Sequence, residues 1–109
     1  MATAERELRA AQNQLLFRSV NDRIKELGEK ALNPIAELDF ACECDKPDCH
    51  EPITLAIEEF AAVERAGKNR FIVLAGHEDD DVEDVIARNE RYFIVAKRGA
   101  GAEFIRQNA

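Results

Sequence analysis

The sequence predicts an α+β fold: a long N-terminal helix, one shorter helix and a small, mostly antiparallel sheet. Three observations predict it. Apolar residues recur at helical spacing from Leu8 to Ala31, with no proline before Leu32. Two apolar runs, "RFIVLAG" and "RYFIVAK", have the length and β-branched content of strands. Between the helical stretch and the first of these runs lie all three cysteines, on a short alternating segment and a proline turn.

The first element is read from Leu8, Ala11, Leu15, Leu16, Val20, Ile24, Leu27 and Ala31, with Phe17 beside the stripe. Glu5–Arg9, Asp22–Lys25 and Glu26–Lys30 have the spacing of pairs along an exposed side. Gly28 is a weak point, costing about 1 kcal/mol in a helix interior. Asn33-Pro34 ends the helix, because the residue before proline avoids the helical region. Such a helix is long for so short a chain. Either its stripe packs on the rest of the domain, or its N-terminal part extends and docks on another chain.

"ELDFACEC", from Glu37 to Cys44, reads as a short strand with Leu38, Phe40 and Cys42 on one face. "DKPD" is then a turn. A second helix is expected after Pro52, with Thr54 as N-cap, Ile57, Phe60, Ala61 and Glu64 following, and Gly67 as a left-handed C-cap. "RFIVLAG" is apolar throughout, which predicts a central strand or one buried on both faces. "HEDDD" is a turn. "VEDVIARNERYFIVAK" is read as strands Val82–Ala87 and Arg91–Lys97, with a short helix Val82–Arg88 as the competing reading. The whole is taken as one domain over residues 1–109: a helix over 1–32, a core over 36–97 and a loose tail over 98–109.

A 109-residue chain that is 46% hydrophobic can bury a core, but only a small one, so a single metal staple would matter. The net charge of -7 argues against a generic nucleic-acid binder, which shows a basic face. No apolar run approaches the length of a membrane span, and the first residues have no signal-peptide core. A cytoplasmic setting follows, in which closely spaced cysteines are more often metal ligands or redox groups than disulfides. Three thiols also leave one unpaired in any intramolecular scheme.

The cysteines form the pattern Cys42-x-Cys44-x4-Cys49-His50, with His77 further on. Thiolate and imidazole are the ligands zinc prefers, usually four in a closed tetrahedron. His77 is the favoured fourth ligand, because it follows a strand and a glycine and so stands in a loop at the end of the sheet. His50 is the local rival, handicapped by its adjacency to Cys49; a carboxylate, water or no fourth ligand is the remaining option. The redox reading, a Cys44–Cys49 disulfide, suffers from Glu43, Asp45, Asp48 and Glu51, which would raise thiol pKa values. A bound cation reverses that logic. Simple core packing suits Cys42 and Cys44, which share a face, and not Cys49 in its polar turn. Zinc with three thiolates and a neutral imidazole carries a charge of about -1, which Lys46 would partly offset. A structural role is expected: such zinc sites contribute roughly 10–16 kcal/mol, against a total stability of about 5–15 kcal/mol.

Other chemistry is poorly supported. The acidic run Glu78-Asp79-Asp80-Asp81 lacks calcium-loop spacing and reads as a solvated turn, or else a dock for a basic partner. His77-Glu78 begins a metalloprotease motif, but Asp81 stands where the second histidine is required. The one serine, Ser19, sits mid-helix, and no phosphate loop is present. A catalytic zinc with Glu78 or Glu51 as base returns only if His77 does not bind.

"LLFRSVNDRIKEL", "DFACECDKPDC", "ITLAIEEFAAVERA", a strand ending in "AGHE" and "RYFIVAK" together resemble a group of small actinobacterial proteins of unknown function, over residues 14–97. The Cys-Glu-Cys-x4-Cys pattern with the later Gly-His is the specific part. In that group a proline tends to follow Gly-His, where this chain has Asp79-Asp80-Asp81. The resemblance implies Cys42, Cys44, Cys49 and His77 as the metal set and brings no activity with it. The leading expectation is a cytosolic, non-enzymatic module stabilised by one Zn2+. It would act through a protein partner or a homodimer contact on its N-terminal helix, not through nucleic acid or membrane. A thiol-based redox or metal sensor is the alternative, and a small zinc hydrolase the third.

Overall fold

The computed structural model of the chain describes residues 3–31, 36–49 and 51–108. The expected helix stop at Asn33-Pro34 and the rival ligand His50 lie outside the described residues. Helix α1 (Ala4–Ala31) has 28 residues. At 1.5 Å per residue it is about 42 Å long, matching the 42 Å long axis of the molecule. Against it lie a hairpin, β1 (Glu37–Ala41) with β2 (Pro52–Ala56), then α2 (Ile57–Ala66). The second sheet holds β3 (Arg70–Val73), β4 (Glu83–Arg88) and β5 (Phe93–Lys97), antiparallel in the order β3-β5-β4, and α3 (Gly99–Asn108) follows. The fold is α+β, as the periodicities predict.

The hairpin obeys the two-residue period. Phe40 lies opposite Ile53, and Leu38 opposite Leu55. Phe40 stacks on Phe60 of α2, ring centroids 4.7 Å apart. Phe71, Ile72 and Val73 of β3 and Ile105 of α3 complete the fully buried centre. Glu83–Arg88 is extended and Val82 belongs to the preceding turn, so the strand reading holds and the helix reading does not. Ile86 is an extra residue in β4, between Val85 opposite Val95 and Ala87 opposite Ile94. This bulge twists the free edge and discourages further pairing.

Four expectations need correction. First, Pro52–Ala56 is a strand and Thr54 caps nothing: its hydroxyl donates to Asp39 Oδ1, 2.6 Å away across the hairpin. Cross-strand pairing of Ile53 and Leu55 outweighs the cap preference. Helix α2 starts at Ile57, where the Glu59 carboxylate accepts from Ala56 N at 3.0 Å. Gly67, at φ 167°, is extended and not left-handed.

Second, β3 is an edge strand of its sheet, so of the two readings, central or buried on both faces, the burial holds and the central place does not. It is nevertheless buried, because its outer edge is covered by Arg18 and the segment Cys42–Glu43. Third, within the expected loose tail over 98–109, Gly99–Asn108 is helical and docks on α1. Ala100 N donates to Glu7 Oε2 at 3.1 Å. At Gly101 a Cβ would stand 3.0 Å from Glu7 O and 2.9 Å from Lys97 Cδ, so the crossing requires glycine. The glycines that made the segment look loose permit its close approach.

Fourth, only part of the apolar stripe of α1 lies on its buried face. The helix buries Ala10, Ala11, Gln14, Arg18, Asn21 and Gly28. Leu15 and Ile24 pack against the core, whereas Leu16 is 61%, Val20 45% and Leu27 52% exposed. Gly28 serves close packing, since a Cβ there would stand 2.5 Å from Leu38 Cδ1 and 2.8 Å from Ile57 Cδ1. The N-terminal turns pack on α3 and do not project. Among the described residues, no helix is long and apolar enough to cross a membrane.

Candidate metal centre

Two turns and one strand end bring the site together. Cys42 directly follows β1, and its N–H donates to Glu51 O at 3.2 Å, closing the base of the β1–β2 loop. Within that loop Cys49 N donates to Lys46 O at 3.1 Å. This is a turn with Pro47 in the second position, where its fixed φ is favourable. His77 ends a second turn: its N–H donates to Leu74 O at 2.9 Å, and Gly76 in the third position has φ +89°. A turn of that shape selects glycine there, because other residues are strained at positive φ. Leu74 N also donates to Cys42 Sγ at 3.3 Å, tying the second turn to the first cysteine.

The ligand atoms of Cys42, Cys44, Cys49 and His77 all lie within 4.8 Å of one another. His77 Nδ1 is 3.7 Å from Cys42 Sγ and 3.6 Å from Cys49 Sγ. Zinc–sulfur and zinc–nitrogen bonds of about 2.3 and 2.05 Å at a tetrahedral angle place S and N about 3.6 Å apart. Those two edges therefore fit one zinc-sized ion. Cys42 and Cys44 are buried, while Cys49 and His77 are half-buried. The set is the one the sequence singled out, and it suits a soft divalent cation.

The thiols interact strongly. A hydrogen bond with Cys42 pushes the Cys44 thiol down to about 5. That same bond, then burial, pushes Cys42 up, and burial pushes Cys49 up. One thiolate is thus held by its neighbours, and a cation would supply the charge that lets the others ionise. A cation bound here would displace protons, so its affinity would fall as pH drops.

The Cys42–Glu43–Cys44 segment is gripped from behind. The Glu43 side chain is fully buried and receives Arg18 through two hydrogen bonds, of 2.6 and 2.9 Å. Asn21 Nδ2 adds a third at 3.1 Å and Ile72 N a fourth at 2.9 Å. Glu43 N donates to Ile72 O at 2.7 Å, and Gln14 Nε2 donates to Glu43 O at 3.1 Å. Asn21 also exchanges two bonds with the Ala41 backbone. The Arg18 guanidinium lies over the rings of Phe60 and Phe71, at 5.2 and 4.7 Å, and donates to Arg70 O. A buried carboxylate is tolerable only when so fully matched. Glu43 therefore does not burden the thiols as the sequence suggested, because Arg18 balances its charge.

These grip residues escaped the sequence reading. Their signal is Gln14, Arg18 and Asn21 at steps of four and three, which share one helix face. The acidic run is also less solvated than expected: Arg6 pairs with Asp79 at 2.6 Å and Asp81 at 2.9 Å. Burial and a hydrogen bond to Asp79 push the Asp45 carboxyl up to about 7. Glu78 accepts from Gly76 N at 2.7 Å, which turns it back on its own turn.

No family model matches the chain, and neither a curated protein nor a solved structure does.

Proposed function

We propose that the chain binds one Zn2+ through Cys42, Cys44, Cys49 and His77, and that the ion is structural. The observation that carries this reading is the fit of the sulfur–nitrogen separations, 3.6 and 3.7 Å, to the edges of a zinc tetrahedron. Four protein ligands fill the coordination sphere and leave no position for a reactive water, which favours a non-enzymatic role over a hydrolase. The centre joins the β1–β2 loop to the end of β3, and the Glu43 network joins both to α1. The ion would thus stabilise a module that works through protein contacts, for which the outer face of α1 is the natural surface. Three unpaired cysteines suit a reducing, cytoplasmic compartment. On the Cys-Glu-Cys-x4-Cys and Gly-His pattern, we also propose kinship with the small actinobacterial group.

Cys44→Ser tests the structural role. The expected outcome is loss of bound zinc together with loss of soluble, folded protein, read by elemental analysis and circular dichroism. A well-folded, metal-free Cys44→Ser protein would contradict it.

A second reading is a redox sensor, favoured by the half-buried Cys49 beside two further sulfurs. A peroxide would take two electrons from the Cys44 and Cys49 thiolates: one S–S bond forms, the O–O bond breaks, its two oxygens take up two protons from solvent and leave as two waters or as water and an alcohol, and the zinc is released. Zinc release and a Cys44–Cys49 disulfide at low peroxide would favour that reading. Retention of zinc would favour the structural one.

A further inference from the structure

The bulge in β4 does more than twist an edge. Neighbouring residues of a strand point to opposite faces, yet Ile86 and Ala87 both line one cleft. The bulge at Ile86 accounts for this: an extra residue lets two neighbours stand against one partner, here Ile94, on the same face. Ile86 is left 42% exposed there. The cleft has a volume of about 330 Å3 and lies between that face of the sheet and α2. This is the small end of the range for ligand cavities, about 300–1,000 Å3. Val63 and Tyr92 are its buried lining. On the helix side Ala62 and Ala66, one turn apart, keep it open, since each presents a methyl group where a larger side chain would fill the space. From Glu59 to Ala66 the cleft follows two turns of α2, about 10 Å.

The two charged residues of the cleft, Glu59 and Arg70, differ in kind. Glu59 is matched. Its carboxylate accepts from the Tyr92 hydroxyl at 3.1 Å, from Arg91 at 2.9 Å and from Ala56 N at 3.0 Å. Arg70 stands at the other end, beside the close of α2, where a Cβ on Gly67 would meet its Nε at 3.1 Å. Among the described residues its guanidinium has no hydrogen-bond or ion-pair partner. The cleft thus offers an apolar trough two helical turns long with one unmatched positive fork at its end. Such a fork takes a carboxylate through two parallel hydrogen bonds. We propose that this cleft is a binding site for a small apolar monocarboxylate. Its chain lies between Ala62 and Ile86, and its carboxylate sits on Arg70. The site shares no residue with the metal set, so the proposal goes beyond the zinc reading and does not rest on it.

Octanoate is the probe, titrated into the purified full chain and followed by calorimetry and by backbone amide NMR shifts. The expected result is saturable binding with Kd at or below about 1 mM, with the largest shifts at Ala62, Ala66, Ile86 and Ala87. Octanol, which has the chain without the charge, should bind roughly tenfold more weakly. Ala62→Leu is a helix-compatible change at an exposed site. It should abolish binding with unchanged circular dichroism. Arg70→Gln should remove the preference for octanoate over octanol, a ratio that a merely structural arginine would not move. No binding up to about 10 mM octanoate would overturn the proposal. So would shifts centred on the exposed Leu16, Val20 and Leu27 of α1, or binding indifferent to Ala62→Leu, because octanoate would then be adsorbing as a detergent. Equal affinity of the parent chain for octanoate and octanol would overturn it too.

Discussion

On its inner face α1 turns Gln14, Arg18 and Asn21 into the interior, whereas on its outer face Leu16, Val20 and Leu27 stand in solvent. Hydropathy alone would assign the two faces the other way round. The inner face is set by Glu43, a carboxylate fixed between two cysteines of the candidate metal set. Once that charge is buried, the cost of leaving it unmatched exceeds the gain from burying a leucine. A full transfer of one aliphatic side chain is worth about 1.5–3 kcal/mol, and an uncompensated buried charge costs about 3–5 kcal/mol. The side of a helix that goes inwards is thus decided by what it must satisfy as much as by what it can hide.

The sharpest way to break the comparison is Arg18→Met. It keeps the volume and strands Glu43, so stability should fall by about 3–5 kcal/mol in urea unfolding. Zinc affinity should drop roughly 10–100-fold as the Cys42–Cys44 segment loosens. The double variant Arg18→Met with Glu43→Leu should recover most of the stability; failure to recover would mean that the pair itself, and not the stranded charge, is what matters.

Gly28→Leu comes next. The side chain would have to displace Leu38 and Ile57, and overpacking of this kind costs about 1–3 kcal/mol. An unchanged denaturation midpoint would show that the inner face has slack.

A smaller effect is expected at the boundary of the two faces. Asp22 is pushed up to about 7, by burial first and then by its hydrogen bond with Glu64. Arg18 and Lys25 oppose that rise, and Lys25 pairs with Glu64 at 2.7 Å. The folded state holds this proton more tightly than the unfolded chain. The associated stability is therefore full below the ordinary carboxyl range and is lost as pH rises towards 7. Asp22→Asn should be more stable than the parent at pH 8, by about 1 kcal/mol after allowance for solvent screening. The difference should shrink at pH 5, as followed by thermal unfolding at both values.

The smallest effect belongs to the outer face. Val20→Glu should change the stability of a single chain by less than about 0.5 kcal/mol, measured at a concentration where association is absent. A large loss there would mean that the outer face contributes to the fold of one chain.

Legibility followed the same divide. The strands β3 and β5 could be read because "FIV" and "YFIV" are apolar runs, of which the first becomes a fully buried strand and the second a half-buried one. His77 could be placed because a glycine after a strand signals a turn. Strand β2 was obscured because Pro-Ile-Thr has the look of a helix start, and only the residues opposite it across the hairpin make it extended. Helix α3 was obscured by Gly99 and Gly101, whose purpose is visible only with Glu7 and Lys97 in place. The polar grip could not be read from hydropathy, because Gln14, Arg18 and Asn21 look like a solvated face until Glu43 is known to be inside.

The central claim is the metal centre, and elemental analysis of the purified chain, paired with a thiol count before and after a strong chelator, tests it most directly. The account predicts one zinc per chain, three thiols masked until chelation, and loss of the folded state afterwards. No metal, with three freely reactive thiols in a folded chain, would contradict it and give the redox reading first place.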